Sequence, residues 1–401
     1  MNLQNILAAF RHRNYRLFFA GQGVSLIGTW MQNVALGWLV YDLTRSAFLL
    51  GFVNFLSALP VTVLTLYAGV VADRHDKRAI LILNQTAAML LAFVLAALVY
   101  WRVVTVWQIA LIGLLTGIAN TFDMPTRQSF VVDMVGKENL LNAIALNSSM
   151  FHTARIIGPA LAGVLIAHIG MDGCFFLNGL SFLAVIAGYA AMRMPVHVTA
   201  ENHPSLRHAT LEALRYVRDD RVLRTIVLMQ AVVSVFGLPY AVLMPVFARE
   251  VLHTGASGLG YLLAANGIGA LFGALTLASL GEHAHQRRLF FGGLLGFCGL
   301  VIAFAWSTSF WLSAVLLLCA GYCMIIAFAT ANTTVQTRTP DHLRGRVMGI
   351  YVLAFLGLNP FGALLAGSVA HAINASIAVT IGEAICFIAI LVAIRLSTRR
   401  Q

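Results

Sequence analysis

Charge is the scarcest property of this chain: Asp, Glu, Lys and Arg together make up 10% of its 401 residues. Soluble globular domains draw roughly a quarter of their residues from these four types, so a water-soluble enzyme or binding module is excluded. Cysteine is also sparse. Cys174, Cys298, Cys319, Cys323 and Cys386 all stand inside apolar stretches, where they read as small apolar side chains, and neither a disulfide framework nor a metal site follows from them. Hydrolytic motifs are missing too, with no His-Glu-x-x-His and no Gly-x-Ser-x-Gly; Gly-Val-Ser-Leu at Gly23 is too short to count. Glu282-His283-Ala284-His285 has metal-ligand residue types, but it lies in a short loop beside Arg287 and Arg288 and reads as a solvated loop. No enzyme chemistry, cofactor, metal or nucleic-acid partner is expected.

What the chain has is apolar length. Hydrophobic residues make up 60% of it, and stretches long enough to cross a ~30 Å hydrocarbon core as helices recur throughout. They fall near 16–41, 48–72, 79–101, 106–124, 141–169, 174–192, 223–248, 257–280, 289–306, 311–334, 347–373 and 377–395. Strands of a membrane barrel would be about 10 residues long with strict alternation, which is not the pattern here. The expectation is an all-α membrane protein of twelve transmembrane helices. Of 26 basic residues, 22 precede the first span or follow even-numbered ones, and the opposite loops hold only Arg45, Arg102 and Arg249. The positive-inside rule then puts both termini in the cytoplasm.

The sequence repeats. GVVADRHDKR begins at Gly69 and GALTLASLGE at Gly273, 204 residues later; GPALAG begins at Gly158 and GALLAG at Gly362, again 204 later. Two six-helix halves, 1–192 and 223–401, are the economical reading. Residues 193–222 form the longest polar segment, a linker in which Leu206, Thr210, Ala213, Leu214 and Val217 share a helical face while Arg207, Arg215 and Arg218 point elsewhere. It reads as an amphipathic helix on the cytoplasmic surface, held by apolar insertion and anionic lipid head groups.

Three stretches carry a family resemblance: Gly69-Val-Val-Ala-Asp73-Arg74-His-Asp76-Lys77-Arg78 between spans 2 and 3, FDMPTRQSF at 122–130, and ARIIGPALAG at 154–163 in span 5. They resemble motifs of the major facilitator superfamily, and the chain covers that fold from end to end. The branch it looks most like contains enterobactin-type siderophore exporters and macrolide efflux pumps. That resemblance implies a multi-pass transporter of the bacterial cytoplasmic membrane working by alternating access. It also implies export of an amphipathic small molecule, such as a siderophore or drug, in exchange for protons. A lysophospholipid or other lipid flippase of the same fold is the alternative; a membrane-embedded enzyme or a channel fits less well. The remaining partners expected are membrane lipids, and the protein is read as a monomer.

The loop motif has its own physical logic. Lys77 and Arg78 would begin span 3, where positive charge opposes the helix dipole by about 0.3–1 kcal/mol each, so they need acidic partners. Asp73 and Asp76 are nearest, and Asp76 can also cap the helix. The family usually has glycine at that position. The resemblance further implies that Asp73 latches the inner gate against the cytoplasmic end of span 11, here Arg344-Gly345-Arg346; the second-half copy has Leu277 at the matching place.

ARIIGPALAG is the span 5 signature associated with antiporters. Pro159 has no amide hydrogen, which leaves the Arg155 carbonyl without its i+4 donor, while Gly158 and Gly163 permit close packing. Glycine-rich span 8 is the expected neighbour. Arg155 is the one basic residue inside a span, and it either braces helices or faces the substrate path.

If the family fold applies, spans 1, 4, 7 and 10 line that path. Span 1 offers Gln22, Ser25, Thr29, Gln32 and Asn33 near one face, with Trp30 and Trp38 among them; span 4 offers Thr116 and Asn120; span 7 offers Gln230, Ser234, Phe236 and Tyr240; span 10 offers Tyr322, Asn332 and Thr333. A polar face in a membrane helix means a cavity or an interhelical bond. Candidates for carrying the coupling proton are Asp42, Asp123, His152 and Glu383. Asp123 pairs by spacing with Arg127, which favours a strut, and Glu383 is the one acid clearly within a hydrophobic span.

Overall fold

The computed structural model describes residues 8–136, 138–192, 206–280 and 285–398, and all regular structure within them is helical. Helices α1 (Arg13–Thr44), α2 (Ala47–Arg74), α3 (Lys77–Tyr100) and α4 (Val106–Val135) follow through short turns. Next, α5 (Leu140–Ala191) is broken at Gly170, whose φ of 76° favours glycine and falls in the gap between the fifth and sixth expected spans. After α6 (Leu206–Asp219) comes α7 (Arg221–Val232), continued by a π turn (Val233–Gly237), a 3-10 turn (Leu238–Ala241), a short helical turn (Met244–Val246) and a second π turn (Phe247–Val251). Helices α8 (Gly255–Leu280), α9 (Gln286–Ala305) and α10 (Phe310–Arg338) are regular. Then α11 (Asp341–Val352) passes through a π turn (Leu353–Gly357) into α12 (Asn359–Ala372), and α13 (Ala375–Thr398) completes the described chain.

The seventh span is thus not the uniform helix that its hydropathy implies. Pro239 and Pro245 each withhold an amide from the α ladder, and the backbone re-pairs at i+5: the Leu238 amide donates to the Val233 carbonyl, and Leu252 donates to Phe247. Pro125 has a milder effect. The expected end at residue 124 is overrun to Val135, because a proline forfeits a single ladder bond, and Thr121 and Thr126 hydroxyls bond back to the carbonyls of Gly117 and Phe122.

Ten helical stretches of the described residues are long and apolar enough to cross a membrane. The 32-residue α1 is not among them, since its polar row dilutes its apolar content. At 52 residues α5 counts once, although its path of roughly 78 Å is more than twice a bilayer core.

The chain forms two compact units, Met1–Thr44 with Leu56–Glu201, and Arg45–Phe55 with Asn202–Gln401. In the first, α5 lies along α1, and α3 packs on α4 and α5. A Cβ at Gly158 would meet the Trp30 Cβ, the Ile27 carbonyl at 2.9 Å and the Met31 nitrogen at 3.1 Å. Gly158 of ARIIGPALAG thus packs closely on α1, a neighbour that the sequence did not point to. One end of this unit is closed by an aromatic core of Tyr15, Phe18, Phe130 and Tyr189.

In the second unit α8 packs on α10, with Gly269 and Gly273 against the Leu318 and Tyr322 carbonyls, and α9 packs on α10 and α13. The first turns of α2 belong here because Gly51 lets α2 approach α12 at the Ala363 carbonyl and Gly367. Helix α6 docks through buried Ala213 and Val217, the Tyr216 hydroxyl donates to the Arg338 carbonyl, and Glu212 pairs with Arg346 at 3.1 Å. Part of the face expected to meet lipid is thus packed on protein, while Leu211 and Leu214 stay exposed; the side chains of 206–210 lie outside the described residues.

Candidate functional site

The polar row of α1 divides in two. Gln22 and Ser25 are buried, and the Gln32 carbonyl oxygen accepts from the Asn178 amide at 2.7 Å, with the Ser181 hydroxyl bonded to Asn178 in turn. Gln32, Asn178 and Ser181 hold α1 to α5 across membrane depth, where no water competes for their hydrogen bonds, while the Gln22 side-chain oxygen is buried without a partner. Thr29 and Trp30 remain half-buried and Asn33 exposed. The Trp30 ring meets Phe151 edge-on at 5.6 Å, and Phe151 meets His152 at 5.9 Å. Half-buried Arg155 follows one turn later on α5, within electrostatic reach of His152. A partly exposed patch of aromatic rings with the Asn33 amide results, which suits flat, amphipathic solutes. Phe151 was not singled out from sequence, although its place one turn before Arg155 was a usable signal. Asn120 on α4 is exposed as well.

At the start of α3, Asp76 caps the helix, accepting from the Arg78 amide at 2.9 Å. The partners of the two bases lie much further along the chain: Lys77 reaches Asp133 at 2.7 Å and Arg78 donates to the Ala190 carbonyl at 2.6 Å. Asp133, at the far end of α4, lies outside the loop motif, and nothing in the spacing of residues 69–78 points to it. Gly69 has open space around it and Arg74 is exposed; the Asp73 side chain lies outside the described residues. In the second unit Arg344 donates to the Gln336 carbonyl at 3.2 Å, and Arg346 is occupied by Glu212. Residues 281–284, with most of the Glu282–His285 loop, are outside the described residues.

Asp123 is buried and held twice, by the Gln85 amide at 2.9 Å and by Arg127 at 3.5 Å. The Tyr189 hydroxyl lies close by without a hydrogen-bond partner. Gln85 and Tyr189, from α3 and α5, make this a four-residue cluster of which the sequence disclosed only the i, i+4 pair.

In the second unit the expected cavity residues are mostly packed. The Ser234 hydroxyl donates to the Phe355 carbonyl at 2.5 Å, joining the π turns at 233–237 and 353–357. The Tyr240 hydroxyl accepts from the Asn266 amide at 3.2 Å, with its ring against Phe297. Gln230 is buried with its amide nitrogen unpaired, and Tyr322 is half-buried.

Residues 4–401 match the major facilitator model described as transmembrane secretion effector. The chain belongs to that family. As a major facilitator it is a multi-pass transporter of the bacterial inner membrane, and not an enzyme. It is 25% identical to the staphyloferrin A transporter of Staphylococcus aureus over 87% of this chain and 88% of that one. Identity to the multidrug efflux pump Tap of Mycolicibacterium fortuitum is 28%, over 88% and 86%. The enterobactin exporter EntS of Salmonella typhi is 24% identical over 91% and 87%. The solved structure of a bacterial homologue of the iron transporter ferroportin shares the fold, with a TM-score of 0.73 at 15% identity, covering 96% of this chain and 99% of that one.

Within this major facilitator the four titratable candidates occupy unlike places. Asp42 is half-buried near the end of α1 that leads into α2, His152 belongs to the aromatic patch, and Asp123 to the cluster with Gln85. Glu383, on α13, has no exposed surface, and neither carboxyl oxygen has a hydrogen-bond partner.

Proposed function

We propose that this transporter exports an amphipathic small molecule of the siderophore or drug type by alternating access, in exchange for protons. The observation that carries the reading is the patch of Trp30, Asn33, Phe151 and His152, of which Asn33 and Phe151 are exposed and the other two half-buried. A polar side chain exposed at membrane depth is costly against lipid tails and serves where it meets a water-filled path. The names of the relatives, an efflux pump and a siderophore exporter, support the direction.

The architecture we infer has twelve crossings, counting α5 as two about Gly170 and adding α1 to the apolar helices. It comprises two six-helix halves joined by α6, with both termini cytoplasmic as the basic residues favour. Asp76, Lys77, Arg78 and Asp133 form the brace at the inner end of the first half.

Purified protein in liposomes with an imposed pH gradient tests the reading. A catecholate siderophore or a macrolide should accumulate only while the gradient lasts, and a protonophore should abolish accumulation. Accumulation insensitive to protonophore would remove the proton from the scheme. Movement of lysophospholipid with none of either solute would replace export by lipid flipping.

A further inference from the structure

Glu383 sits where three elements of the second unit meet. From α9 comes Cys298, whose thiol lies beside both the Glu383 carboxyl and the Cys386 thiol one turn further along α13. From α7 and its π turn comes backbone: the Val232 carbonyl faces the Cys386 sulfur at 3.8 Å, the Phe236 carbonyl crowds Gly382, and Gly237 leaves room for Cys386. The carboxyl is wholly enclosed, and the donor beside it is the weak Cys298 thiol. The three side chains form no metal-binding group.

The charged and titratable side chains of the packed elements are far away. Arg287 and Arg288 begin α9, about 15 Å of helix before Cys298, and Arg395 follows Glu383 by about 18 Å on α13. Arg221 and Arg224 lie at the start of α7, and His371 is an exposed residue near the end of α12. Cys298 and Cys386 are the only titratable neighbours among the described residues. A carboxylate here would be enclosed with no cation to offset it, whereas a neutral acid fits as it stands.

The same π turn is held on its other side by the Ser234 bond to the Phe355 carbonyl in the π turn before α12. Gly382 and Cys386, which bracket the acid on α13, lie against one flank and a second π turn against the other, so a charge change at Glu383 arises one residue from backbone able to re-pair. Such turns convert between i+4 and i+5 bonding by shifting a single residue, and they recur at functional sites.

We propose that Glu383 is an intramembrane proton-binding site whose loss of a proton remodels the 233–237 turn and, through Ser234, the 353–357 turn. In the step itself the carboxyl O–H bond breaks, the proton passes to water admitted by the rearrangement, and the electron pair stays on the carboxylate; rebinding reverses it. This rests on proton-driven export as proposed above and names the residue that carries the proton.

Glu383→Gln mimics the protonated acid. In liposomes it should keep substrate-for-substrate exchange while losing at least tenfold in pH-gradient-driven accumulation, and its exchange rate should no longer vary with pH. In wild type, infrared difference spectra between acidic and alkaline buffer should show a buried carboxylic C=O band that disappears as pH rises, and Glu383→Gln should lack it. Driven accumulation and pH profile unchanged in Glu383→Gln overturn the proposal. Should that variant fail to reach the membrane, Cys298→Ala, which alters the neighbour and keeps the acid, should shift the midpoint of the wild-type band; an unmoved midpoint also overturns it. If wild type exchanges no substrate, the export reading fails while the infrared titration still decides for or against the proton site.

Discussion

Gly158→Ala is the sharpest test of how α5 meets α1. The added methyl would contact the Trp30 Cβ and approach the Ile27 carbonyl to 2.9 Å and the Met31 nitrogen to 3.1 Å. Two of these atoms are backbone, so a rotamer change cannot relieve the contact and the helices must separate. Overpacking of this kind costs about 1–3 kcal/mol, offset by roughly 1 kcal/mol from replacing a mid-helix glycine by alanine. Gly69→Ala provides the control, since Gly69 is helical too and nothing lies within 4 Å of a Cβ there. It should gain up to about 1 kcal/mol from the same propensity term. The propensity terms cancel in the comparison, leaving a gap of about 1–3 kcal/mol due to packing. Both variants would be purified in one detergent and their unfolding followed by tryptophan fluorescence against denaturant, with Trp30 reporting beside the mutated seam. Equal stability of the two variants would refute a close α1–α5 crossing at Gly158.

Other expectations follow from the remaining contacts. Single and double alanine variants of Lys77 and Asp133 should show a coupling of about 0.2–1 kcal/mol that shrinks as salt rises, because the pair is partly exposed. Gln85→Leu withdraws the amide from buried Asp123 and should cost about 1.5–3 kcal/mol, read by denaturant unfolding. Trp30→Ala and Phe151→Ala should each weaken binding of an aromatic substrate about tenfold at unchanged expression, measured by fluorescence quenching, if a ring contact of ~1.4 kcal/mol is lost. Arg155→Lys separates two roles: altered substrate preference at unchanged stability places the guanidinium on the substrate path, and normal transport with lowered stability makes it a brace.

The helices were legible because apolar length is a local property, and the Gly170 break coincides with an interruption readable in the sequence. Partnership was not. Asp76 capping its own helix is a two-residue relation, whereas Lys77 finds Asp133 and Gln32 finds Asn178 across 56 and 146 residues. Spacing along α1 puts five polar residues on one face, but whether a member turns to another helix or to open space depends on what packs there. The close approach of Gly158 to α1 was hidden for the same reason, since nothing local to ARIIGPALAG points to Ile27, Trp30 and Met31.

The π turns carry a consequence for how this sequence is to be indexed. Each accommodates one residue more than an α turn, so every side chain after it is rotated by about 100° from where an uninterrupted helical wheel would put it. A wheel drawn through 221–251 therefore has the wrong phase beyond Gly237, so it does not give the face on which Tyr240 meets Asn266 and Phe297. The stretch from Asn359 to Ala372 is displaced in the same sense by the turn at 353–357. Comparison of the 204-residue repeats, or a library meant to resurface either segment, has to be re-phased at these two points, and deleting one residue within 233–237 should turn everything downstream back by a quarter of a revolution.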